Sequence, residues 1–323
     1  DVAHTPVMPA GNEPVVVRAR VHDPDGVTTN VRLRYRVDPS TTTNSVTMTN
    51  AGAGIYSAPI PGQARGAIVA FSVAATDTHA SPASSKFPDD APARECVIRW
   101  GENPDPSELG SYRFWLTKTN MDQWAARTAF SDEPLDMTFV YGNERAIYNA
   151  DIRYRGSPFI RRAMQGPWTG VNSYVVSAPK DDAVLGTDEL NLDTLEQWRD
   201  PTRQRERTCF WLAGRLGLPN SHQRLVRIYV NGNPHGDVYA DSHHMGSDYV
   251  ETWFPDDDVG DLFKIDDWFE FGSSYADFIS QDSELSVYPM TNGLKKKARY
   301  RWNWEKKVNN GYDDNYSNLF NLV

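Results

Sequence analysis

The feature that most constrains this chain is a change of pattern about a third of the way along it. Before that point apolar and polar residues alternate in short runs. Residues 15–21 and 31–37 set Val, Ala, Leu and Tyr against Arg, the period of two that a half-buried strand requires. Asp23-Pro24-Asp25-Gly26 stands between them, Pro presetting φ and Gly tolerating positive values. Ala51-Gly52-Ala53-Gly54 leads into Ile55-Tyr56-Ser57-Ala58, and Pro61-Gly62 into the apolar run 67–75. Cys96-Val97-Ile98-Arg99-Trp100 makes the last strand of the series.

Six or seven short strands in about a hundred residues predict an immunoglobulin- or fibronectin-like β-sandwich, without a Cys…Trp…Cys framework. We place it at residues 1–103. The polar, proline-punctuated segment 101–107 reads as an exposed linker. Beyond it, strands are expected near 111–117, 135–141, 150–155, 172–177 and 225–230, with a helix over 120–130. The clearest helix is 201–216, where Cys209, Leu212, Ala213 and Leu216 recur at spacings of three and four. Pro201 suits its first turn and Gly217 its C-terminal cap, and Asn231-Gly232 signals a hairpin. Residues 104–323 therefore read as a second, α+β domain.

The charge distribution narrows the function classes. The 323 residues carry a net charge of −10. Between Asp237 and Glu270 stand 11 carboxylates and one base, Lys264, whereas Leu294 to Lys307 holds 7 bases and one acid, Glu305. Acidic and basic stretches side by side exclude a general nucleic-acid binder, which needs a broad positive face. The longest apolar run, 67–75, is far short of a bilayer span. Cys96 and Cys209 sit in unlike contexts and are expected unpaired, Cys209 on the buried face of its helix. The abrupt start at Asp1 reads as a processed or excised end. Neither a Ser-His-Asp triad, a nucleophile elbow, a Walker A loop nor a CxxC pair is visible.

Ile152-Arg153-Tyr154-Arg155-Gly156-Ser157 resembles the R-G-S motif of the CotH kinase family. Matching segments follow in order: Asp188-Glu189-Leu190-Asn191-Leu192-Asp193, Leu216-Gly217-Leu218-Pro219, Val226 to Gly232, Gly236-Asp237-Val238-Tyr239 and Gly260-Asp261-Leu262-Phe263-Lys264. The resemblance spans roughly residues 110–323. It implies an atypical, secreted-kinase-like α+β fold that uses ATP with Mg or Mn. The implied activity is phosphate transfer to Ser or Thr of a secreted or surface protein, in a bacterial setting where sandwich domains precede the kinase region. The family's paired lysines are replaced here by Val171 and Asn172, and a Glu it usually carries after Tyr239 has His243 as its nearest equivalent. The family's Asp-x-Asp is expected beyond a segment resembling Tyr316 to Phe320, so the kinase domain reads as C-terminally incomplete and the 323-residue chain as not itself competent. The alternative is a non-catalytic surface- or matrix-binding module on a CotH-like scaffold.

Arg155, Gly156 and Ser157 are the candidate phosphate contacts: Gly permits close backbone approach, Arg supplies a charged fork and Ser a hydroxyl. A plain strand end with a glycine turn explains the same letters. Lys264 is the second cofactor candidate, a point charge for phosphate, or else a surface lysine answering Asp261 or Asp266. Lys180 lies in an exposed turn. Asp256-Asp257-Asp258 reads as a solvated acidic turn, and Asp241 with His243 and His244 as a poor transition-metal set. Residues 295–307 interleave bases with Tyr300, Trp302 and Trp304, as a helix with buried aromatics and wet bases would. The catalytic carboxylate, the metal ligands and the oligomeric state are not legible.

Overall fold

The computed structural model describes residues 1–23, 30–79, 81–127, 131–155, 172–194, 200–265, 270–271, 278–280, 285–308 and 315–323. The chain divides into two compact units, residues 1–243 and 244–323.

The first unit opens with β1 (Val2–Thr5), β2 (Val15–Arg20), β3 (Asn30–Asp38), β4 (Asn44–Thr47), β5 (Thr49–Gly52), β6 (Ile55–Ile60), β7 (Ile68–Thr76), β8 (Ser84–Phe87) and β9 (Cys96–Arg99). They form two antiparallel sheets, β1-β2-β6-β5 and β4-β3-β7-β8, with β9 also paired to β7. The alternation in the sequence decides what faces inward. Val15, Val17 and Ala19 are buried on β2 while Val16, Arg18 and Arg20 are exposed; Val31 and Leu33 are buried on β3 while Arg32 and Arg34 are exposed. Both sheets feed one core, with Val17, Leu33, Phe71 and Ile98 among its members. Pro24, Asp25 and Gly26 of the expected first turn lie outside the described residues.

The unit continues with β10 (Gly110–Trp115), α1 (Lys118–Ala126), β11 (Leu135–Tyr141), β12 (Arg145–Tyr154), β13 (Tyr174–Ser177), β14 (Glu189–Thr194), α2 (Arg205–Arg215), β15 (Gln223–Val230) and β16 (Asn233–His243). These strands close a barrel in the order β10-β11-β12-β13-β14-β16-β15, sealed by the parallel pairing of β15 with β10. The inward positions are apolar and largely aromatic, with Tyr112, Phe114, Phe139, Tyr154 and Tyr174 in one cluster. Outward-facing Trp115, Val140 and Tyr148 enter the sandwich core instead, so two sheets and a barrel share that cluster.

This sharing alters the segment read as a linker. Gly101 donates its backbone N–H to Pro9 O at 2.7 Å. Glu102, its side chain only 2% exposed, lies 3.0 Å from Arg99 and 3.6 Å from the fully buried Arg113. It also accepts from Trp115 Nε1–H at 3.0 Å. Polar residues imply exposure only when their charges are unanswered; here a carboxylate with two guanidiniums and an indole can be buried.

Helix α2 ends as its sequence demands. Gly217 takes φ 69°, and Leu218 N–H reaches Ala213 O at 2.9 Å while Gly217 N–H reaches Gly214 O at 3.2 Å, a Schellman cap. Its apolar stripe, however, is not buried. Cys209 is exposed, as are Trp211, Leu212 and Leu216, because periodicity makes a stripe without supplying a surface to cover it. Asn231 and Gly232 take φ 45° and 80° between β15 and β16, the type I′ turn expected of that dipeptide. Cys96 and Cys209 are both free thiols.

The second unit contains α3 (Ser247–Trp253), β17 (Phe263–Ile265), β18 (Glu270–Phe271), β19 (Phe278–Ser280), α4 (Lys297–Asn303), β20 (Trp304–Lys306) and α5 (Ser317–Asn321). β17 pairs antiparallel with β20, and Tyr300, Tyr316, Leu319 and Phe320 form the core. Among the described residues no helix is long and apolar enough to cross a membrane.

Candidate functional site

β12, β13 and β14 bring two distant sequence segments together. Along β12 the inward positions Ile152 and Tyr154 pair with Val176 and Tyr174 of β13, which leaves Arg153 and Arg155 on the outer face. The ladder runs one residue past the strand: Arg155 N–H donates to Ser173 O at 2.9 Å. The Arg155 guanidinium donates to Asp193 Oδ2 at 2.5 Å, and Ser173 Oγ–H donates to Asp193 Oδ1. Thr194 N–H in turn donates to Ser173 Oγ at 3.0 Å. Both Asp193 oxygens are therefore engaged, and Arg155 is held half-buried with its charge answered. Gly156 and Ser157 lie outside the described residues.

One mouth of the barrel holds a second polar constellation. Asp241 is fully buried on an inward position of β16, directly opposite Arg224 of β15. Arg224 Nε–H donates to Asp241 Oδ2 at 2.8 Å, and Tyr112 O–H donates to the same oxygen. Arg224 also donates to Tyr141 Oη at 2.8 Å, and His222 Nε2 stands 3.6 Å from Asp241 Oδ1. Burial alone pushes this carboxyl up, but the nearby His222 imidazole, the Tyr112 hydroxyl and the Arg224 charge outweigh it and hold it below its usual range. His243 stacks on His222 at 5.8 Å between ring centroids. Sequence reasoning singled out Asp241 and His243 as poor metal ligands and missed Arg224, Tyr112, Tyr141 and His222. The available signal was parity: Arg224 precedes Val226, Ile228 and Val230 on the apolar face of its strand, and Asp241 follows Tyr239 on the inward face of the next. Opposite charges at two inward positions of one hairpin announce a buried pair. Deeper in the barrel, Tyr174 Oη and His235 Nε2 are 2.7 Å apart, and burial pulls the His235 imidazole down to about 4.

In the second unit Lys264 lies on β17 directly opposite Glu305 of β20, exposed, with Nζ 3.9 Å from that carboxylate. The buried pair of the Gly-Asp-Leu-Phe-Lys segment is a different one. Asp261 lies 2.9 Å from Lys306 Nζ, both side chains largely buried, and accepts from Asn318 Nδ2 at 2.8 Å. Asp256, Asp257 and Asp258 are exposed. The basic stretch forms α4 with Tyr300 buried, as expected, but Trp302 is exposed and Arg299 and Lys306 are buried. Among the described residues no three or more His, Cys, Asp or Glu side chains are grouped to hold a metal ion. Arg155 belongs to the first compact unit and Lys264 to the second.

Comparison with family profiles matches residues 152–323 to CotH kinase protein, more than half of the chain. No curated protein matches. Among solved structures, a cycloalternan-forming enzyme from Listeria monocytogenes in complex with pentasaccharide substrate is 8% identical, with a TM-score of 0.22. An uncharacterized protein from Listeria monocytogenes EGD-e, in complex with α-D-glucose, β-D-glucose, magnesium and calcium, is 9% identical with the same TM-score of 0.22. Each alignment covers 60% of this chain and 15% of the other, so the chain spans a small part of those proteins' length. Likeness at that level carries no argument about fold or activity.

Proposed function

The chain belongs to the CotH kinase protein family, and from that premise we propose that residues 104–323 serve an ATP-dependent protein kinase of atypical α+β type. It would transfer phosphate to Ser or Thr of a secreted or surface protein, from a bacterial cell-surface or secreted position, with an immunoglobulin-like sandwich at 1–103. Arg155, Gly156, Ser157 and Lys264 are the proposed nucleotide contacts. The observation that carries the reading is the Arg155–Asp193 pair, which joins two of the family's segments 38 residues apart. Asp193, itself held by Ser173, orients the guanidinium, so the side chain gives up little freedom on meeting phosphate. Mg or Mn bound with ATP supplies neutralisation of the phosphate charge, and phosphoryl transfer depends mainly on such positioning.

The test is titration of the 323-residue chain with a fluorescent ATP analogue in Mg, in Mn and in EDTA. Metal-dependent binding should weaken about tenfold or more in Arg155→Ala, the loss of one charge-assisted phosphate contact. Asp193→Asn should also bind more weakly, because Arg155 is then unanchored. Equal affinity in all three proteins sinks the assignment of Arg155. The second reading, a non-catalytic surface- or matrix-binding module, is favoured by Val171 and Asn172 standing where paired lysines are usual. Failure to bind nucleotide in any metal selects it.

A further inference from the structure

The outer face of the second sandwich sheet carries a site that the kinase reading does not use. On β3, Arg32 and Arg34 alternate with the buried Val31 and Leu33 and therefore share the solvent face. Arg32 pairs across the ladder with Ala74 of β7, and Ala74 pairs with Lys86 of β8. Arg34 pairs with Ser72, one step further along the same face. Two cationic strands thus flank a central strand whose outward residues, Ser72, Ala74 and Thr76, are all small. At sheet spacings the cations stand ~10 Å apart across the strands and ~7 Å apart along β3. The result is a trough of about 660 Å³ with a low floor and positive walls.

The charges in this trough are not spent. Among the described residues Arg32 donates only to Ser45 Oγ, at 3.3 Å, and Lys86 Nζ donates to the Ala91 carbonyl at 2.9 Å. Arg34 has no ion pair among the described residues. Glu95 also lines the trough, but its carboxylate is taken by Arg36, with Nη2 at 2.5 Å and Nε at 3.1 Å. Three cations with no ion pair among the described residues, on one face of a chain whose net charge is −10, form a local field for an anion. Ser45, Ser72, Thr76 and Ser84 add hydroxyls that both donate and accept. A stacking platform for bases is missing among the described lining residues, since the lining aromatic, Tyr35, packs against the sandwich core.

We propose that this trough binds an acidic polysaccharide, its carboxylates or sulfates on Arg32, Arg34 and Lys86 and its sugar hydroxyls on the Ser and Thr floor. The experiment uses the whole 323-residue chain in calorimetric or interferometric titrations against polygalacturonate, dextran sulfate, neutral dextran, polyphosphate and single-stranded DNA. Binding to one or both acidic polysaccharides and not to neutral dextran is expected. It should weaken about tenfold between 50 and 500 mM salt, because exposed charges are screened over that range. Arg32→Gln/Arg34→Gln should lower affinity at least tenfold at unchanged melting temperature, the positions being exposed. Ala74→Trp, which fills the trough and leaves every charge in place, should lower it as well. Equal binding of neutral dextran, tighter binding of polyphosphate or DNA than of either acidic polysaccharide, or affinity indifferent to all these substitutions would each overturn the proposal.

Discussion

His4 makes the first unit sensitive to acid, by an amount that follows from its surroundings. The ring is 3% exposed on β1. Its Nε2 lies 3.0 Å from Val7 O, which can only accept, so Nε2 carries the proton and Nδ1 accepts from Tyr148 O–H. A second proton at Nδ1 would confront that donor in a buried site, and burial pulls the imidazole down to about 4 from 6.5. Because the folded value lies below the unfolded one, the unfolded chain binds more protons between them. Stability is therefore complete above about pH 6.5 and drains away as pH falls towards 4. At ~1.4 kcal/mol per unit, moving from pH 7 to pH 5 costs about 2 kcal/mol from His4 alone. His235 adds a similar cost. Asp136 works the other way: burial raises its carboxyl to about 6 despite Arg94, so the folded state takes up a proton there and recovers about 1 kcal/mol. Urea denaturation at pH 7 and pH 5 should show a net loss of about 3 kcal/mol for the native chain. His4→Gln keeps a donor for Val7 and cannot titrate, so its loss should be about 2 kcal/mol smaller. A His4→Gln curve that parallels the native one from pH 7 to pH 5 would refute the reasoning.

Three other outcomes are expected. Maleimide should label Cys209 in the native protein within minutes, and Cys96 only after denaturation, since Cys96 is buried and burial raises its thiol; mass spectrometry of digests separates the two. Glu102→Ala strands the fully buried Arg113 and should cost roughly 3–5 kcal/mol in urea unfolding, whereas an effect below about 1 kcal/mol would mean that water reaches the site. Asp241→Asn removes the acceptor charge from Arg224, which is partly solvated, so its cost should fall at the low end of that range, about 3 kcal/mol by the same measurement.

The strands of the sandwich were legible because each has one wet face and one dry one; β2 and β3 could be read letter by letter. The type I′ turn at Asn231-Gly232 and the cap at Gly217 were legible for a local reason, that few residues tolerate positive φ. Closure of the barrel was not, since the parallel β10–β15 pairing joins segments more than a hundred residues apart and leaves no local mark. The spacing on α2 predicts the stripe but not what covers it, because periodicity reports a helix's shape and not its neighbours. At the candidate site Arg155 was visible from its motif. Its partner Asp193 was visible from another motif, but their contact depends on the register of β13 against both neighbours. Lys264 stands out in the sequence as the lone base among acids. Charge counting along the chain could not foresee that Lys306 would be the base that answers Asp261.

The joint between sandwich and barrel has a consequence for inheritance. Trp115, Val140 and Tyr148 belong to barrel strands yet complete the sandwich core, and truncating a buried aromatic of this size typically costs ~3–5 kcal/mol. A gene fragment encoding either half alone would leave those side chains, or the hollow they fill, open to solvent and to other chains. Recombination at the proline-rich segment would therefore yield two adhesive products rather than two portable modules. A change of volume on one side of the joint is felt by the packing on the other, so large substitutions there are tolerated best when matched across it.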